Sequence, residues 1–149
     1  MYDVAIGPVR AAFRRPRIST QHLKGLPAVP SFKNVNAVLP VTDHAAAVAW
    51  YKQWIGRGPD IEPTEGVAEW QLVDNGWIQV AYDPETAGKT SIVIGVEDID
   101  SHIASLASAG VTCGEIQDLD FIKMAELPDP EGNKINFVWE NPSYAPPAE

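Results

Sequence analysis

Asn36-Ala-Val-Leu-Pro-Val-Thr-Asp43 returns further along the chain as Ser91-Ile-Val-Ile-Gly-Val-Glu-Asp98. In both stretches apolar residues alternate over a short run, the pattern of a strand with one buried face. Each run ends on an aspartate and gives way to a segment free of Gly and Pro, His44–Trp54 and Ile99–Ala109. Asp43 and Asp98 therefore stand where an N-cap belongs, and Gly56 and Gly110 where a helix would close in a left-handed residue. Val41 and Val96, and Asp43 and Asp98, are each 55 positions apart.

The repeat extends beyond the helices. In the first half strands are expected at Pro59–Glu62, Val67–Val73 and Trp77–Tyr82, the last two joined by Asp74-Asn75-Gly76, where Asn-Gly tolerates positive φ. In the second half they are expected at Val111–Gln117, Phe121–Leu127 and Lys134–Trp139, with Asp129-Pro-Glu-Gly-Asn133 as the turn before the last strand. The offset becomes 57, matching Trp70 with Leu127 and Gln79 with Asn136. The chain is thus an α+β protein built of two tandem βαβββ modules, 35–82 and 91–140. One module could not cover its own sheet, so the two are expected to pack as one domain.

Outside 35–140 the composition changes. Residues 1–34 carry Arg10, Arg14, Arg15, Arg17, Lys24 and Lys33 against Asp3 alone, and Pro8, Pro16, Pro27 and Pro30 interrupt every possible helix. This basic leader reads as an extension lying against an acidic body, with an Arg-rich transit segment or a nucleic-acid-binding arm as the alternatives. Residues 141–149 read as a Pro-rich tail.

With a total of −9 and a leader of +5, residues 35–149 carry −14. A body this acidic repels phosphate backbones, which argues against nucleic-acid binding, and it favours cationic ligands. No apolar stretch reaches the roughly 20 residues of a membrane span. The single cysteine, Cys113, excludes an intrachain disulfide and fits a reducing cytoplasm. Apolar residues at 45% and charged residues at 21% are those of an ordinary globular chain.

The doubled pattern resembles the vicinal oxygen chelate superfamily of glyoxalase I, extradiol dioxygenases and bleomycin-resistance proteins. The likeness is carried by Val38-Leu-Pro-Val-Thr-Asp43 leading into Trp50-Tyr51, by Val96-Glu-Asp98 and by Asp129-Pro-Glu-Gly-Asn-Lys-Ile135. It implies two curled mixed sheets around a central cavity, with the helices outside. Alternation would turn Ala37, Leu39, Val41, Ile78, Val80, Tyr82, Ile92, Ile94, Val96, Ile135, Phe137 and Trp139 to the helices. Trp50 and Trp54, four apart, would bury against the sheet.

Metal-using members of the superfamily draw their ligands from four places, which fall here on Asn36, Gln79, Ser91 and Asn136. All four are neutral, where a catalytic divalent ion wants imidazole, thiolate or carboxylate. The resemblance therefore implies no metal and no cofactor. It points to a small-molecule binder like the bleomycin-resistance branch, a homodimer holding a cationic or aromatic ligand in the cavity between the sheets. Asn36, Gln79, Ser91 and Asn136 would supply hydrogen bonds and Trp77 a flat apolar surface.

Two other readings stand beside it. Glu69 and Glu126, 57 apart, could serve as the base of a metal-free lyase or isomerase. Alternatively the chain is an interaction module whose cavity is filled by its own side chains. A metal-dependent glyoxalase or dioxygenase is the least supported, since His22, His44 and His102 fall on no cavity strand.

Overall fold

Val35–Val41 (β1) buries Leu39 and Val41 completely while Val38 stays 41% exposed, and Pro40 at its end is buried as well. The computed structural model describes residues 31–145. Residues 1–30 and 146–149, and with them all but the last four residues of the proposed leader, His22 and the end of the tail, lie outside the described residues.

The first half continues through helix α1 (His44–Ile55) and strands β2 (Ile61–Thr64), β3 (Val67–Val73) and β4 (Gly76–Tyr82). The second half repeats the series as β5 (Ser91–Gly95), α2 (Ile99–Ser108), β6 (Gln117–Asp118), β7 (Ile122–Pro128) and β8 (Lys134–Glu140). The sheets have orders β1-β4-β3-β2 and β5-β8-β7-β6, each with one parallel pair, β1 with β4 and β5 with β8. The internal repeat is therefore real down to strand pairing: Glu69 lies opposite Gln79 and Glu126 opposite Asn136. The sheets are not closed, and β1 and β5 are edge strands.

Both helices start where expected. The Asp43 carboxylate accepts from the Ala46 N–H at 3.0 Å and the Asp98 carboxylate from the Ser101 N–H at 2.9 Å. Gly56 closes α1 at φ 86°, and Gly110, at φ 78°, follows the end of α2.

Several expectations require correction. The Asp74-Asn75-Gly76 turn uses no positive φ, and the register slips between Gln71 and Val73, so a bulge in β3 replaces a left-handed turn. The expected strand at Val111–Gln117 shrinks to Gln117–Asp118. Before it, Gly114 makes a single backbone bond to Glu126 O and the Cys113 thiol takes the same carbonyl, too little for a ladder. On α1 the fully buried residue is Tyr51, with Ala47 one turn before it, while Trp50 and Trp54 are partly buried. Tyr82, at the end of β4, is 58% exposed rather than turned into the core.

Helix α1 packs against both sheets. Tyr51 lies against Trp70 of β3, with ring centroids 6.1 Å apart, and Trp54 meets Phe137 of β8 edge-on at 5.7 Å. Leu39, Val41, Ile78 and Val80 of the first sheet join Ile92, Ile135 and Phe137 of the second in one core with Tyr51 and Leu106. The helix-facing sides of both sheets thus share one interior.

The Asp129–Asn133 turn bolts the halves together. Asn133 Nδ2 donates to Pro40 O of β1 at 2.7 Å and to Asp129 Oδ2 at 2.8 Å. Tyr51 Oη donates to Asp129 Oδ2 at 2.9 Å, and the Asn133 N–H to Asp129 Oδ1 at 2.9 Å. Glu131 caps the entry to α1, accepting from the Thr42 and Asp43 N–H groups at 2.6 and 3.0 Å. Burial pulls the Glu131 carboxyl upward, and these hydrogen bonds outweigh it and hold it below its ordinary range. The motif that carried the family resemblance is therefore structural in this chain.

Candidate functional site

Side chains facing away from the shared core form two open faces, one on each sheet. On the first, Glu69 of β3 projects between Asn36 of β1 and Gln79 of β4. Asn36 Nδ2 donates to Glu69 Oε1 at 3.3 Å and Gln79 Nε2 to the same oxygen at 2.5 Å. The β3 bulge makes this contact possible. An unbroken two-residue hairpin would set Glu69 opposite Val80 and aim it into the core; the one-residue slip sets it opposite Gln79 and sends Trp70 inward instead.

On the second open face, Asn136 of β8 donates through Nδ2 to Ser91 Oγ at 3.0 Å and to Ile92 O at 3.1 Å. Glu126 of β7 takes a different partner from Glu69: its carboxylate stands 3.6 Å from Lys134 Nζ.

The six polar side chains singled out from the sequence are thus brought together as two sets, Asn36–Glu69–Gln79 and Ser91–Asn136–Glu126. No hydrogen bond among the described residues links one set to the other. The space between the sheets is occupied by the shared core, so within one chain the sets face outward from it.

Trp77, the cross-strand neighbour of Asn36, is partly buried and lines an apolar crevice of about 240 Å³. Val35, Leu72, Val73 and Val93 line it too, Val35 being 71% and Val93 55% exposed. Of the histidines, His44 opens α1 and His102 packs on Phe137 at 4.2 Å. Burial holds His102 below its ordinary value, and its Nε2 has no partner. Sequence reasoning missed Tyr51, Asp129 and Asn133 as buried polar partners; only the Asp-Pro-Glu-Gly-Asn spacing hinted at them.

The donor set does not fit a divalent metal. Asn36 and Gln79 aim amide N–H groups, not oxygens, at Glu69, and the remaining positions offer a hydroxyl and one amide. Among the described residues no three His, Cys, Asp or Glu side chains converge into a group that could hold an ion. Nor is any described helix long and apolar enough to cross a membrane.

No protein-family model and no curated protein matches the chain. Solved structures do. A glyoxalase/bleomycin resistance protein from Catenulispora acidiphila DSM 44928 is 29% identical, aligned over 72% of this chain and 98% of that one, with a TM-score of 0.68. TnmS3, an antibiotic binding protein from Streptomyces sp. CB03234, is 17% identical over 76% of this chain and 100% of its own, with a TM-score of 0.65. The bleomycin-binding protein of Streptomyces verticillus, solved with copper(II)-bleomycin, is 20% identical over 76% of this chain and all of its own, at 0.64. The fold is that of the vicinal oxygen chelate superfamily, to which these structural likenesses point. Its neighbours there include proteins that bind small molecules.

Proposed function

We propose that this chain is a metal-independent small-molecule-binding protein similar to the bleomycin-resistance branch. It works as a homodimer whose cleft lies between the first open face of one copy and the second open face of the other. The observation that carries the reading is the outward orientation of the two polar sets. They flank free strand edges, β1 and β5, so a shared pocket requires a second copy. Exposed Val38 and Val93, at equivalent places on those edges, support burial there. Neutral amides and a hydroxyl suit binding, because they keep their hydrogen-bonding character across pH. The acidic body favours a cationic ligand, and Trp77 supplies a surface for a flat one. A lone free thiol at Cys113 fits a cytoplasmic setting.

Native mass spectrometry of the purified protein, with elemental analysis of the same sample and bleomycin as added probe, tests this. The expected result is a dimer that takes up the probe and carries no stoichiometric transition metal. A metal retained at one equivalent per chain and lost on substituting Asn36 or Asn136 would overturn it.

A second reading keeps Glu69 as the base of a metal-free lyase or isomerase. What favours it over Glu126 is its lack of a Lys or Arg partner among the described residues, whereas Glu126 is paired with Lys134. Turnover lost in Glu69→Gln and kept in Glu126→Gln is its test.

A further inference from the structure

The equivalent carboxylates of the two halves are held differently, and we infer that the cleft is polar along its length. A protonated nitrogen of the ligand, an ammonium or amidinium, sits at Glu69, and a neutral donor sits at Asn136. This rests on the binding reading above and adds the chemical character of each end.

A carboxylate only accepts, so Asn36 and Gln79 must turn their NH₂ groups toward Glu69. Their carbonyl oxygens are thereby aimed elsewhere. Asn36 Oδ1 is taken by Asn34 Nδ2 at 2.7 Å. Gln79 Oε1 and Glu69 Oε2 have no hydrogen-bond partner among the described residues. Neither is among the buried atoms left unpaired, so both are open to solvent. The first face therefore presents two free acceptors, one of them a carboxylate oxygen, beside the second N–H of each amide.

The second face is fixed by the same logic. Ile92 O can only accept, which orients the Asn136 NH₂ toward it and leaves Asn136 Oδ1 as the outward atom. Charge separates the two ends. Lys134 stands against Glu126, while Glu69 has no Lys or Arg within 4 Å among the described residues. A cation gains a charge-assisted bond at the first end and meets a neutralised pair at the second. An anion is repelled by the unpaired Glu69 charge at the first end, and at the second it meets the outward Asn136 Oδ1. Lys134 is thus the specificity-determining residue that keeps the ends unequal.

Benzamidine, benzamide and benzoate share one shape and differ in charge, and they serve as probes in NMR titrations of the full chain. Benzamidine is expected to shift the side-chain amide signals of Asn36 and Gln79 and to bind about tenfold tighter than benzamide. Benzoate is expected to leave those signals unmoved. Glu69→Gln, at a half-buried surface position, should bring benzamidine and benzamide to equal affinity. Lys134→Gln should create a second benzamidine site that shifts Asn136 and doubles the stoichiometry. Benzoate binding at least as well as benzamidine, or a stoichiometry unchanged in Lys134→Gln, overturns the polarity and leaves the binding reading standing. If no probe, bleomycin included, moves any open-face signal, the binding reading itself falls.

Discussion

Tyr51 lies between the two tryptophans that dominate α1 in the sequence, yet it is the side chain that joins the halves. Its ring is buried against Trp70 and its hydroxyl donates to Asp129. Burial, then the negative Asp129 beside it, holds the phenol far above its ordinary value of 10, so it stays a donor at every working pH. Tyr51→Phe keeps the packing and removes that donor from a buried carboxylate. It should cost about 2 kcal/mol, read as a lower urea midpoint at unchanged slope. His102 behaves differently. Its folded value lies below the ordinary 6.5 because burial penalises the charged ring. The unfolded chain therefore binds the proton first. Stability from the neutral ring is complete above about pH 6.5 and declines as the pH falls toward the folded value. Melting curves between pH 5 and 8 should display that slope in the native chain and lose it in His102→Phe.

At the level of elements, the junction rests on the segment between β4 and β5, residues 83–90, as much as on strands. Gly88, at φ 74°, donates to Pro40 O, and a Cβ there would come within 2.1 Å of Glu131 O. Gly88→Ala meets both a left-handed backbone and a fixed carbonyl. It should destabilise by about 2 kcal/mol or more, measured by chemical denaturation. Gly56→Ala, with nothing within 4 Å of its Cβ, should lose only the conformational part, about 1 kcal/mol.

The two modules, both N-caps and most strands were legible in the sequence, because alternation, capping chemistry and a 55-residue offset are local signals. That Asn36, Gln79, Ser91 and Asn136 face away from the helices followed from alternation, whereas the direction of Glu69 and Glu126 did not. Nor did their partners. The clasp on Glu69 depends on one slipped residue in β3, and the choice between amide and lysine for the two glutamates depends on packing across strands. Trp50 and Trp54 promised burial by size and spacing, but the fully buried place on α1 went to Tyr51, packed on Trp70 and bonded to Asp129. Tertiary geometry decided each of these, and no window of sequence contains it.

For the molecule as a whole, the proposed dimer would cover the open faces and the free edges of β1 and β5. Residues 35–149 carry −14, so two copies repel at long range while apolar surface at Val38 and Val93 draws them together at contact. Sedimentation equilibrium should therefore report a dimer that tightens with added salt. Val38→Asp should shift it toward monomer by about tenfold or more in dissociation constant, since a charge would be buried without a partner. A wild-type chain that stays monomeric at all loadings would remove the shared cleft.

The Asp129–Asn133 turn also sets an order of events during synthesis. Pro40, Thr42 and Tyr51 leave the ribosome well before the residues that satisfy them, and N-terminal segments emerge first. The early half must wait with an unclaimed hydroxyl and an uncovered strand end until its counterpart is translated. A nascent chain stalled just short of Asp129 is where a chaperone would find the most to hold.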